Sequence, residues 1–281
     1  MPVFDTPEPI TVAVTMKAGD TRVIASDRKD TLVTVEPPGE EETVRTELAN
    51  GRLTVAAREP KRRGPWMADL IDKLRGGPSY TVTIEVPTGS NLELDSTYGG
   101  VTTTGTLGTC RLRLGYGDVR LDRTGSLDVH HRHGDIVVDH VAGNAEIAVS
   151  SGDITIRTVT GSATVTNNHS DIDVGDVSGV VRLTGTHGDI SVARTTAEVS
   201  VRNAYGSVRV AEAVSGVIDL STTYGELEIG IAAGTAAWLD VSSSTGSVRN
   251  ELTTRPGPDG FDNSVEVRAR TRDGDVVVRR A

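Results

Sequence analysis

The chain has 281 residues, with 29 Lys and Arg against 39 Asp and Glu for a formal net charge of −10, and it carries 31 glycines, two Trp, five Tyr, two Phe and a single cysteine. The length is enough to bury a sizeable core. The acidic balance argues against a nucleic-acid coat, which needs a dominant basic field to bind phosphates, and the lone Cys110 excludes an internal disulfide framework or a cysteine-based zinc cluster.

At the N-terminus, MPVFDTPEPITVAVT has neither a basic n-region nor an apolar h-region and does not read as a signal peptide. The best apolar window, Ile229 to Leu239, is too short to span a bilayer. A cytoplasmic location is expected, with membrane contact only from the periphery. Residues 1–94 read as irregular first rungs and a cap: AGD at Gly19–Asp20 and NGRLTV up to Val55 resemble the motif that follows, and YTVTIEVP (Tyr80–Pro87) is a strong strand.

An insertion over 58–77 interrupts this pattern. Pro65 suits a first helical position and Gly76 a stop, and Trp66, Met67, Leu70, Ile71 and Leu74 share one helical face. Residues 61–75 hold five basic side chains, Arg62 and Arg63 among them, against Asp69 and Asp72. The simpler expectation is a short helix that plugs the end of the fold or packs on its side. The alternative is docking on an anionic membrane or in a partner's groove through Arg62, Arg63, Trp66, Met67, Leu70, Ile71 and Leu74.

Over 95–251 a short motif returns as YGG, YGD, HGD, SGD, HSD, HGD, YGS, YGE and TGS, centred on Gly99, Gly117, Gly134, Gly152, Ser170, Gly188, Gly206, Gly225 and Gly246. The period of about 18 residues is a solenoid signature. Between turns the residues alternate apolar and polar, as in Ile136/Val138, Ile154/Ile156 and Ile172/Val174 in one half-unit and Ile147/Val149, Val181/Leu183 and Leu239/Val241 in the other. Such alternation is a half-buried strand, and a single unit cannot bury its own apolar face. The predicted fold is therefore an all-β, single-domain β-solenoid with about 18 residues and two short strands per rung. Residues 252–281 form a turn-rich loop and two closing strands, where Arg279 and Arg280 are expected to discourage another chain from adding to the last edge.

Two columns flank the motif residue. Tyr98, Tyr116, His133, Ser151, His169, His187, Tyr205 and Tyr224 precede it, and Asp118, Asp135, Asp153, Asp171, Asp189, Ser207 and Glu226 follow it. The preferred reading is stacked rings beside carboxylates that each accept a backbone N–H within their own turn. The alternative is a divalent metal held by His133, His169 and His187 with Asp135, Asp171 and Asp189. The run His130–His133 reads as a solvated corner, because strand alternation parts neighbouring side chains. The second half-units lack the Asp and the paired glycines of a calcium β-roll, and no GxSxG, P-loop, HExxH or helix-opening GxGxxG is present. Cys110 alternates inward with Leu112 and Leu114 as a small core thiol. No enzyme activity and no cofactor are expected.

MPVFDTPEPITV, the GD-I/V-x-V repeats, AAWLDV and GSVRNEL within Ala236–Leu252, and VEVRARTRDGDVVVRR together resemble an actinobacterial member of the adhesin-type β-strand-repeat family, also described as the Toastrack domain. The resemblance spans essentially the whole chain. It implies a right-handed solenoid of uncharacterised biochemistry, with no catalytic residues to carry over. Some relatives accompany membrane-anchored proteins of cell-envelope stress responses, which implies a scaffold or sensor role. The expected function is an interaction scaffold for protein partners at the cytoplasmic membrane face, with end-to-end pairing of copies and no nucleic acid. The alternatives are an exported adhesin or glycan binder and, third, a carbohydrate-active enzyme with two carboxylates in a cleft.

Overall fold

The computed structural model describes residues 2–37, 44–57, 80–253 and 260–281, and every regular element among them is a β-strand. The helix expected over 65–75 lies outside the described residues. Two compact units divide the chain, Met1–Gly134 and Asp135–Ala281.

The first unit opens with β1 (Val3–Asp5), β2 (Thr11–Ala18), β3 (Asp20–Ser26), β4 (Asp30–Glu36), β5 (Val44–Ala49), β6 (Arg52–Ala57) and β7 (Thr81–Pro87). It continues with β8 (Asn91–Tyr98), β9 (Val101–Thr104), β10 (Thr106–Tyr116) and β11 (Val119–His133). Parallel pairing builds two ladders. One runs β6–β2–β8–β10–β11 and the other β7–β3–β9–β11, so the long β11 serves both. The first rung of the chain, β2–β3, is thus not at the end of its stack; it is inserted inside β6 and β7. Beyond them, β5 pairs antiparallel with β6, β4 antiparallel with β7, and β1 antiparallel with β4.

In the second unit β12 (Ile136–Val141), β14 (Ile154–Val159), β16 (Ile172–Val177), β18 (Ile190–Thr195), β20 (Val208–Ala213) and β22 (Leu227–Ile231) stack in parallel. Their partners β13 (Ala145–Ser151), β15 (Ala163–His169), β17 (Val181–His187), β19 (Val199–Tyr205) and β21 (Gly216–Tyr224) form the other ladder. Register turns the 18-residue repeat into columns of like residues: Ile136, Ile154, Ile172, Ile190, Val208 and Leu227 lie opposite one another and are at most 2% exposed. Burying each such side chain contributes roughly 1.5–3 kcal/mol.

At the C-terminal end the order is interleaved again. β25 (Asn263–Asp273) lies between β21 and β23 (Thr235–Thr245), while β26 (Val276–Arg280) lies between β22 and β24 (Val248–Asn250). The last rung of the sequence is therefore interior. This corrects the expectation for Arg279 and Arg280, which do not guard an edge. Arg279 pairs with Glu228 at 2.6 Å and Arg280 Nη1 donates to the carbonyls of Ala232 and Thr235, both at 2.9 Å. Leu239 and Val241, expected in the core, stand on the outermost described rung and are only partly covered.

The turn chemistry explains the motif. At Gly117 φ is +129°, and a Cβ there would sit 2.4 Å from the Gly99 carbonyl oxygen of the next rung, so glycine answers both backbone conformation and close stacking. Ser170 holds the same place with φ of +117°, a conformation that costs a side chain about 1–3 kcal/mol.

Candidate functional site: a ring and carboxylate edge

Each ring of the motif ends a strand, and in-register pairing brings it over the ring of the neighbouring rung. In the first unit Tyr98 stacks on Tyr116 with centroids 5.2 Å apart, and Tyr116 on His133 at 4.9 Å. In the second, His169, His187, Tyr205 and Tyr224 stack successively at 5.3, 5.0 and 5.1 Å, all within 8° of parallel. The tyrosines remain about half exposed, from 42% at Tyr224 to 56% at Tyr98. The faces are spent on one another, and the polar ring edges line the surface.

The carboxylates serve the backbone, but between rungs rather than within their own turns. Asp135 Oδ1 accepts the Asp153 N–H at 3.0 Å, Asp153 that of Asp171 at 3.2 Å, Asp171 that of Asp189 at 2.8 Å, and Asp189 that of Ser207 at 2.7 Å. Asp20 does the same for Gly100 at 2.8 Å and Asp275 for Ser247 at 2.8 Å, and the Ser247 N–H holds the Asp275 carboxyl below its ordinary value. The geometric reason is the repeat itself. Residues 18 apart are direct neighbours, so a short side chain reaches the adjacent rung's amide more readily than its own.

Among the described residues no group of three His, Cys, Asp or Glu side chains is placed to hold a metal ion. His133, His169 and His187 belong to the ring stacks, while Asp135, Asp171 and Asp189 bind amides as above. The histidine run divides as strand alternation requires, with one correction: His131 is 3% exposed and so not part of a solvated corner. Its Nδ1 lies 3.4 Å from the Leu114 carbonyl, Nε2 has no hydrogen-bond partner, and burial lowers its pKa. Cys110 is buried beside Thr124, with burial pushing its thiol up to about 11.

One column was not anticipated. Three residues before the motif position an inward polar side chain closes the turn carbonyl of the neighbouring rung: Asn167 to Gly152 at 2.9 Å, Asn203 to Gly188 at 2.8 Å, Thr222 to Gly206 at 3.3 Å, Thr271 to Gly225 at 3.2 Å and Ser243 to Gly274 at 2.7 Å. The signal was present as a polar break at that position in an otherwise apolar half-unit.

Arg62, Arg63, Trp66, Met67, Leu70, Ile71 and Leu74 lie outside the described residues. No helix among the described residues is long and apolar enough to cross a membrane. A surface cavity of about 460 Å³ in the first unit is lined by Asp20, Arg22, Asp118 and Arg120 with the backbone of Gly99 and Gly117, and Arg120 stands 3.5 Å from Asp118. Cross-rung ion pairs such as Arg157–Asp139 at 3.1 Å and Arg194–Glu212 at 3.4 Å cover the outer faces; each contributes about 0.2–1 kcal/mol.

No curated protein matches the chain. Among solved structures it is similar to a "putative adhesin" from Bacteroides fragilis at 12% identity, covering 99% of this chain and 95% of that one with a TM-score of 0.38. A "putative adhesin" from Parabacteroides merdae is similar at 12% identity over 100% and 95% of the two chains, with a TM-score of 0.33. A "putative cell adhesion protein" from Clostridium sporogenes is similar at 10% identity over 100% and 98%, with a TM-score of 0.21. A family model described as Toastrack DUF4097 matches residues 10–279, and with nearly the whole chain covered by it the protein belongs to the Toastrack family.

Proposed function

We propose that the protein is a non-enzymatic β-solenoid scaffold that docks other proteins along its ring edge, at the cytoplasmic membrane face in cell-envelope stress sensing. The observation that carries this reading is the pair of exposed ring stacks, Tyr98–Tyr116–His133 and His169–His187–Tyr205–Tyr224, held in fixed geometry by paired strands. Aromatic side chains ordered in advance lose little entropy on binding and are the residue types that dominate interfaces. The motif carboxylates beside them are engaged by backbone amides, an arrangement suited to rigidity rather than to proton transfer.

The test is affinity capture with the wild-type chain and with a variant carrying Ala at Tyr98, Tyr116, Tyr205 and Tyr224. Proteins recovered by the first and lost by the second support the scaffold, whereas identical recovery removes the ring edge from it. The membrane component is tested by co-sedimentation with anionic and neutral vesicles in a Trp238→Phe background, where Trp66 alone reports. Salt-sensitive binding to anionic vesicles supports contact through residues 61–75, and no binding removes it.

The second reading is an exported adhesin that binds glycans, favoured by the exposure of the same tyrosine edges. Retention on immobilised polysaccharide that the four-tyrosine variant loses would select it.

A further inference from the structure

We propose that the rung β23–β24 is a homodimerisation surface, on which the open edge of β23 pairs antiparallel with the same strand of a second copy.

Three observations converge there. First, β23 pairs only with β25 and β24 only with β26, so among the described residues the outer edge of both is open. Second, the core columns run out uncovered. Leu239 and Val241 are partly exposed, although Val267 and Ala269 opposite them are at 0%. Val248 is 46% exposed opposite Val276 at 0%, and Trp238 is 65% exposed on the outer face of the same rung. Third, the β23 part of the edge lacks the devices that keep monomers apart. Thr235–Thr245 is an 11-residue strand with no proline, no lysine, no bulge against β25 and one charge, Asp240, already held by Arg270 at 2.8 Å.

The strand itself supplies the complement it lacks. Antiparallel pairing about a two-fold axis through a residue sets inward positions against inward positions, so the two apolar columns join. With the axis at Leu239, Leu239 faces its own copy, Ala237 faces Val241 and Trp238 faces Asp240. The two Asp240 side chains are then not opposed, which removes the like-charge penalty. In the first unit the outer strand β5 carries Arg45 and Glu47 within six residues, a charged edge that does not match β23. The same-end contact closes at two copies and does not propagate.

Sedimentation equilibrium of the full chain from about 1 to about 100 μM, with hydrogen exchange across Thr235–Thr245, tests this. The expected result is a dimer whose strand amides are protected only at high concentration. Val241→Lys weakens association at least about tenfold. Trp238→Asp, at an exposed outward position, sets a like charge opposite Asp240 of the second copy and weakens association even where Val241→Lys fails to fold. A chain monomeric throughout with rapidly exchanging amides overturns the proposal. So does a monomer with protected amides, because a segment of the same chain then covers the edge, and so does a dimer that both substitutions leave intact.

Discussion

His131 occupies the place that Asn167, Asn203 and Thr222 fill in later rungs, and among these four it is the one that carries an ionisable side chain. Burial lowers its pKa below the ordinary 6.5, with the backbone of Leu114 and Gly117 working in the opposite sense, His133 in the same sense and Asp118 more weakly in the opposite one. The unfolded chain therefore binds the proton more readily than the folded one. Stability is fully present above about pH 6.5 and falls as the pH drops below it. Asp30, held low by Arg28, Glu93, held low by Arg52, and Asp275, held low by the Ser247 N–H, contribute stability that is lost only further down, below their ordinary values near 4. His131→Asn supplies the kind of turn donor seen at Asn167 and Asn203 and removes the titration. Thermal melts between about pH 7 and 5 are expected to slope downward for the wild type and to flatten for the variant.

At the scale of the strand, position along the stack decides what a side chain is worth. Ile154, enclosed between Ile136 and Ile172, is expected to lose about 2–5 kcal/mol on change to Ala in urea unfolding. Leu239, on the outermost rung and only partly covered, is expected to lose less, about 1–2 kcal/mol, in the monomer at low concentration. The regular strands were legible in the sequence because glycine turns and period-two alternation are local signals, and a constant period fixes register. Columns such as Ile136–Ile154–Ile172 follow from counting by 18. Leu239 and Val241 read identically to those pairs, and nothing local distinguishes an interior rung from a terminal one. The amide partners of Asp135, Asp153, Asp171 and Asp189 escape the sequence for the same reason, because a contact to the adjacent rung leaves no mark within its own turn.

For the whole molecule, chain order and stacking order disagree at both ends. β2–β3 lies inside β6 and β7, and β25–β26 lies inside β23 and β24. Pairing among similar strands is settled by non-local energetics, which is why the sequence does not announce it. One consequence distinguishes this arrangement from a simple coil. A chain ending at residue 262 keeps β23–β24 but loses the rung they pair with, whereas a chain ending at residue 232 ends cleanly on β22. Limited proteolysis is expected to cut the longer truncation rapidly within 235–262 and to leave the shorter one resistant. Equal resistance would mean that β23 re-pairs directly with β21.

The interleaving also sets how the C-terminus bears mechanical load. A pull applied at Ala281 acts on β26, which is bonded to β22 along one edge and to β24 along the other, with Arg279 and Arg280 fastened to the neighbouring rung. Rupture there requires both seams to give way together in shear. At the opposite terminus, β1 is joined to β4 through three residue pairs and peels away one pair at a time. Force applied through β26 is therefore expected to meet more resistance than force applied through β1.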